Sequence, residues 1–256
     1  MKGNELTMMI KITQKCSMGC SHCMNDAKPC GNHMDFATFV SAINFQKKYG
    51  GPICFITGGE PMEHPNFFQF LGYAIEKLPN TAFCIATNGF YLQDEYVAKE
   101  VYKLHDKHVL FQITTDSRYY PIQIDLTLPV FNAPNVEVIT SIPKIYPQGR
   151  AFDNNLEWEA KGSKCCNVRG IARQIQKKTF TNLINAMLIT NRICTPHIDI
   201  NGNIKLGESD LCPACSNIYK EENEIMNDIL NFNCHKCDFI NKNLPQGMKD
   251  LLGVDI

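Results

Sequence analysis

The chain contains no run near the roughly 18 unbroken apolar residues that a membrane-spanning helix requires, so a membrane partner is not expected. It also has little net charge, with 25 Lys and Arg against 26 Asp and Glu, a balance of −1. Such a chain has no electrostatic footprint for sequence-blind binding to a phosphate backbone. Met1 to Ile10 carries no extended apolar core, so no secretory signal is expected and the cytoplasm is the expected compartment. Internal repeats and low-complexity tracts are missing. Hydrophobic residues make up 44% and charged residues 20%, a composition that excludes wholesale disorder. A length of 256 residues suits one large domain, or one domain with a small appendage.

Cysteine, by contrast, is abundant, with 13 in the chain. A chain of this size builds a core without disulfide staples, and a reducing compartment disfavours them. Metal or redox chemistry is the better expectation. Three cysteines crowd between Cys16 and Cys23, and four stand as two pairs, Cys212/Cys215 and Cys234/Cys237.

The first half alternates strand-like and helix-like patterns. Leu6 to Thr13, Ile53 to Thr57, Ala82 to Thr87, Val109 to Thr114 and Val136 to Thr140 read as strands. Asp35 to Tyr49, Asn66 to Leu78 and Gln93 to His105 read as helices. That alternation implies βαβ units on a parallel sheet, whose ligand site lies beyond the carboxyl ends of the strands. The special residues fall there: the cysteines after the first strand, Gly58-Gly59-Glu60-Pro61 after the second, Asn88-Gly89 after the third, and Thr115-Asp116-Ser117 after the fourth. Beyond Ser117 the pattern weakens, and no sixth strand can be placed between Thr179 and Thr190. Ile198 to Leu206 alternates around Asn201-Gly202, which predicts a β-hairpin with a type I′ turn. Glu221 to Leu230 predicts a short helix.

Cys16, Cys20 and Cys23 have the spacing C-x3-C-x2-C. Three thiolates this close can hold three irons of a cubane and leave the fourth without a protein ligand. A structural zinc site is the alternative, with His22, Cys30 or His33 as the fourth ligand. The triplet together with Gly-Gly-Glu-Pro on the next strand resembles the radical S-adenosylmethionine (SAM) enzymes. The resemblance implies an α/β fold, a partial (β/α)6-type TIM barrel that is either full or truncated. It also implies that Cys16, Cys20 and Cys23 hold a [4Fe–4S] cluster whose open iron takes the amino and carboxylate groups of SAM. Gly58, Gly59, Glu60 and Pro61 then receive the methionine amino group, the glycines leaving room at the rim. His22 stands where the family often has an aromatic residue. Thr87-Asn88-Gly89 and Thr114-Thr115-Asp116 resemble further family motifs and add Asn88, Thr114 and Asp116 as cofactor contacts, with ordinary turn chemistry as the alternative. Gly149-Arg150-Ala151 resembles a motif of relatives with extra clusters, or is a solvated arginine after a turn.

Cys212-x2-Cys215 and Cys234-x2-Cys237 by themselves read as a four-cysteine zinc site. With Cys194 and the hairpin they resemble the SPASM or twitch auxiliary-cluster extension. That resemblance divides the chain into a partial barrel at 1–193 and an auxiliary domain at 194–256. Gly207 stands where relatives have a cysteine, and the longer cysteine series is missing, so five thiols remain for one auxiliary [4Fe–4S] cluster, with zinc as the alternative. Cys54 and Cys84 read as core residues, while Cys30, Cys165 and Cys166 stay unassigned.

In the family, an electron from reduced flavodoxin or ferredoxin cleaves SAM to a 5′-deoxyadenosyl radical, which takes hydrogen from a substrate. Relatives with the extension often modify peptides or proteins, which makes a peptide or protein side chain the leading substrate class. A nucleoside, nucleotide or other small molecule is the second. Different in kind are a zinc-stapled binding module and a non-catalytic electron-transfer protein.

Overall fold

The computed structural model describes residues 7–142, 145, 149–156, 197–205, 207 and 209–232. Five strands open the chain: β1 (Thr7–Thr13), β2 (Ile53–Gly58), β3 (Ala82–Thr87), β4 (Val109–Thr114) and β5 (Val136–Ile139). Between the first four lie α1 (Phe36–Tyr49), α2 (Phe67–Lys77) and α3 (Glu95–Lys103). Helix α4 (Arg150–Asp153) follows β5. After an undescribed stretch come β6 (His197–Ile198), β7 (Asn203–Lys205), β8 (Ala214–Asn217) and α5 (Glu222–Asn231).

Among the described residues eight strands share one sheet, in the order β5-β4-β3-β2-β1-β6-β7-β8. Pairing is parallel from β5 through β1 to β6 and antiparallel from β6 to β8. Among the described residues the sheet is open, as a partial barrel is. Buried Ile10, Ile56, Ile85 and Phe111 run across the central strands at the same level. Helices α1 and α2 cover that face, with Phe39 stacked on Phe70 at a centroid separation of 4.4 Å. Burying each such ring contributes about 2–3 kcal/mol.

Local chemistry sets the helix starts. The Asp35 carboxylate accepts the Thr38 N–H at 2.7 Å, and Asp94 accepts the Tyr96 and Val97 N–H groups at 2.9 and 3.1 Å. On α5, Glu221 and Glu224 form a capping box, and Ile225 and Ile229 bury the inner face.

The structure departs from expectation at two points. The hairpin shares one sheet with β1 to β5, where β6 pairs in parallel with β1. Its turn has positive φ at Gly202 and not at Asn201. The Asp199 carboxylate organises the turn by accepting the Asn201 and Asn203 N–H groups at 2.9 and 3.0 Å, so one left-handed residue suffices. β8 was not expected, since Ala-Cys-Ser-Asn has little strand propensity, and its pairing with β7 supplies the reason it forms. The interval searched for a sixth barrel strand lies outside the described residues.

Candidate active site

The carboxyl ends of β1 to β4 open on one cavity of about 310 Å³. Its lining includes Cys16, Cys20, His22 and Cys23 from the loop after β1. Gly59 and Glu60 enter from the β2 turn, Asn88 from the β3 turn, and Thr114 from the end of β4. Tyr120, Ile142, Ile145 and Arg150 close the other side. Sequence-distant residues thus converge because parallel strands deliver their carboxyl ends to one rim.

The cysteine loop is held by its backbone. Cys16 N–H donates to the Lys28 carbonyl at 3.0 Å, and Ser21 N–H to the Tyr119 carbonyl at 3.0 Å. Glu63, from the turn after Pro61, accepts the Ser17 N–H and hydroxyl at 2.6 and 2.9 Å. Burial pushes the Cys16 thiol up to about 11 and the Cys20 thiol up to about 12.

Gly58 and Gly59 are under a second constraint beside the expected cofactor room. A Cβ on Gly59 would lie 2.3 Å from the Lys15 carbonyl oxygen, and one on Gly58 would lie 2.2 Å from that of Thr13. The turn presses on the chain that leads into the cysteine loop, and Gly59 and Glu60 N–H groups donate to Thr13 and Lys15 at 2.7 and 2.8 Å. Gly59→Ala is therefore expected to lower stability by about 2–3 kcal/mol, the scale of forced overpacking, and to displace the cysteine loop. Urea unfolding of the metal-free protein measures this, and a midpoint equal to wild type would show that the close approach is relieved without cost.

Glu60 braces two turns. Its carboxylate accepts the Thr87 hydroxyl at 2.7 Å, the Asn88 N–H at 2.8 Å and the Met62 N–H at 3.2 Å. Burial pushes its carboxyl up to about 7 against those three donors. Asn88 caps the next turn by accepting the Phe90 N–H at 2.9 Å, and its Nδ2 lies 4.0 Å from Cys16 Sγ. His22 packs between Tyr119 and Tyr120, each ring centroid 5.2 Å away. Burial lowers its pKa.

Pro61 starts a short turn of 3₁₀ helix and, like Gly58, is not among the cavity-lining residues. Asp116 does not line the cavity either. Its buried carboxylate accepts Arg118 Nε at 2.9 Å, Arg118 Nη2 at 2.5 Å and the Ile142 N–H at 2.9 Å. The Arg118 guanidinium holds this carboxyl well below the usual carboxylate range. A depressed folded pKa stabilises above the unfolded value near 4 and loses that stabilisation as pH falls through the folded one. Asp116→Asn is expected to cost about 2 kcal/mol at pH 7. The melting-temperature gap to wild type should narrow below pH 4, and a constant gap would sink the assignment.

Arg150 was missed as a site residue, although its motif stood out. Its Nε donates to the Cys20 carbonyl at 2.8 Å and Nη1 to the Ala27 carbonyl at 2.8 Å, with Asp26 Oδ1 at 3.1 Å. Gly149, at φ +54, packs where a Cβ would lie 2.7 Å from the Cys23 carbonyl oxygen. Helix α4 therefore grips the cysteine loop from outside. Of the C-terminal thiols, Cys212 lies on the turn after β7 and Cys215 on β8, where its Sγ donates to the Ile204 carbonyl at 3.1 Å. Cys194, Cys234 and Cys237 lie outside the described residues, as do Cys165 and Cys166.

Residues 10–132 match the model of the radical SAM superfamily. That stretch, just under half of the chain, is similar to the superfamily, whose members are enzymes that use SAM and a [4Fe–4S] cluster. Over 108 residues the chain is 28% identical to the antilisterial bacteriocin subtilosin biosynthesis protein AlbA of Bacillus subtilis strain 168. That match covers 42% of this chain and 23% of the relative, so the alignment spans about a quarter of the relative's length. Among solved structures, BtrN in complex with AdoMet and 2-DOIA superposes with a TM-score of 0.53 at 17% identity, covering 96% of this chain and 89% of that one. Streptococcus suis SuiB bound to precursor peptide SuiA gives 0.56 at 12% identity, covering 89% and 67%. These likenesses establish an α/β partial-barrel fold.

The donor set suits the cluster that the family implies. Three thiols line one cavity with no carboxylate among them except the fully hydrogen-bonded Glu60. The Nδ1 of His22 is buried on the same wall without a hydrogen-bond partner, a polar atom that a bound group can satisfy.

Proposed function

We propose that this protein is a radical SAM enzyme that abstracts a hydrogen atom from a peptide or protein side chain. The carrying observation is the convergence of Cys16, Cys20, Cys23, Glu60 and Asn88 on one rim cavity. Cys16, Cys20 and Cys23 would hold the cluster, which when bound would supply one-electron reduction of SAM. The chain's own residues do the rest. Glu60 fixes the β2 and β3 turns against each other, so the cavity wall is rigid before ligand arrives. Thr114 and Asn88 offer polar contacts at neighbouring strand ends. Tyr120, Ile142 and Ile145 supply apolar wall, which keeps water from a reactive radical.

The peptide class draws on two similar proteins: the bacteriocin-biosynthesis relative and the neighbour bound to a precursor peptide. A small-molecule substrate is the second reading, favoured by the structure with 2-DOIA, which covers nearly all of this chain. We place one auxiliary [4Fe–4S] cluster among Cys194, Cys212, Cys215, Cys234 and Cys237, with zinc as the alternative. Reduced flavodoxin or ferredoxin is the proposed electron donor.

The test is release of 5′-deoxyadenosine from SAM by anaerobically reconstituted protein under dithionite. A tryptic casein digest should stimulate release, and a nucleoside mixture should not. Stimulation by nucleosides alone would move the substrate to the small-molecule class. No release under either condition would favour the electron-transfer reading.

A further inference from the structure

β1 carries a charged residue in its interior. The Lys11 side chain is 2% exposed, on the face of β1 opposite Met8, Ile10 and Ile12. Its Nζ donates to Asn25 Oδ1 at 2.9 Å and lies 3.3 Å from Asp210 Oδ1. The Asp210 N–H donates to the same Asn25 oxygen at 3.0 Å. His197 Nε2 lies 3.4 Å from Asp210 Oδ1, and Lys205 Nζ lies 3.5 Å from Asp199. Ser209 Oγ donates to the Met24 carbonyl at 2.9 Å. Three separate segments meet here: β1, the loop behind Cys23, and the hairpin with its following turn.

Two cations, Lys11 and Lys205, face two anions, Asp199 and Asp210, so the group is charge-balanced. Balance alone does not explain it, because buried ion pairs are poor sources of stability compared with apolar packing. What they set is position. β6 meets β1 through two residue pairs, Met9 with His197 and Ile10 with Ile198. So short a ladder leaves the seating of the hairpin to the side chains.

The consequence falls on Asn25, which lines the cavity beside Cys23 and Met24. Its Oδ1 accepts twice, from Lys11 and from Asp210. A flipped amide would set its NH2 group against the Lys11 ammonium, so the charge fixes the amide orientation. The atom left to serve a ligand is Nδ2, whose long contact is with the Gly58 carbonyl at 3.5 Å.

We propose that Lys11 is a positioning residue for the SAM cavity: pinned by Asp210, it holds the Asn25 amide so that Nδ2 donates to bound SAM. This rests on the reading of the cavity as the SAM site. It makes the β6–β7 hairpin part of that site and not an independent appendage.

The experiment is calorimetric titration of SAM into full-length protein with its cluster reconstituted and oxidised, with iron counted per chain. Lys11→Met and Asn25→Ala should each weaken binding about tenfold while iron is retained. The combined variant should be no weaker than either alone, since one residue acts through the other. Lys11→Met with Asp210→Leu removes the charges as a pair, guards against misfolding, and should show the same tenfold loss. Wild-type affinity in the folded single or paired variant overturns the proposal. So does a multiplied loss, near a hundredfold, in Lys11→Met/Asn25→Ala. Wild-type protein that holds iron but binds no SAM overturns the reading of the cavity, and the proposal with it.

Discussion

Protein with Cys16, Cys20 and Cys23 all changed to Ala is expected to lose about four irons per chain and all release of 5′-deoxyadenosine. The loss should be chemical and local. The loop is tied by the Cys16 and Ser21 N–H groups, by Gly59 and Glu60 against Thr13 and Lys15, and by Arg150. None of those ties uses a cysteine sulfur, so circular dichroism of the variant should match metal-free wild type. The wild-type count decides the second site. About eight irons falling to about four places an auxiliary cluster at the C-terminal cysteines. About four falling to none, with one zinc in both proteins, makes that site structural. Iron unaffected by the triple change would remove the central assignment. The buried thiols add a pH signature. With Cys16 pushed up to about 11 and Cys20 up to about 12, both are protonated in the empty site at pH 7.5. Loading must then release a proton from each, and affinity should climb with pH. A dye assay that finds no proton release would show that these thiols are not the ligands.

The rim was legible because local signals and strand ends coincide. Strand-like runs stop at Thr13, Thr87 and Thr114, and each observed strand ends there. Cys16, Asn88-Gly89 and Thr115-Asp116 follow within three residues, which marks this rim from the sequence alone. What the sequence could not show was which partner each polar residue takes. Asp116 reads as a cofactor ligand by position, yet Arg118, two residues on, takes its carboxylate. Gly59 reads as space for a ligand and does line the cavity, but the close approach of the Lys15 backbone to it was not foreseeable. Lys11 sits in an apolar strand with no pattern around it, because its partners come from residues 14 and 199 positions away. Long-range pairing of single polar groups leaves no periodic trace, whereas burial of a face does.

Arg150→Ala is expected to loosen the cysteine loop without touching a ligand. The guanidinium serves the Cys20 and Ala27 carbonyls at 2.8 Å each and Asp26 at 3.1 Å. Removing it leaves two carbonyls short of a donor, at about 1.5 kcal/mol for each charge-assisted bond, so about 3 kcal/mol in all. For a chain of this size that is roughly 6–12 °C in the melting temperature of the metal-free protein. The Asp26 ion pair adds little, since its two side chains are 22% and 31% exposed. The Arg150 N–H still reaches the Cys23 carbonyl at 3.0 Å, so helix α4 stays docked and the fold survives. The cluster should suffer more than the fold. Three thiols bind one cubane only if the loop holds them together, and a looser loop must be ordered on loading. Iron retained after a desalting column should fall at least severalfold. Arg150→Lys separates charge from geometry: one ammonium cannot span both carbonyls as the planar fork does, so iron retention should stay low. Full retention in Arg150→Lys would show that charge near the loop, and not the fork, is what the site requires.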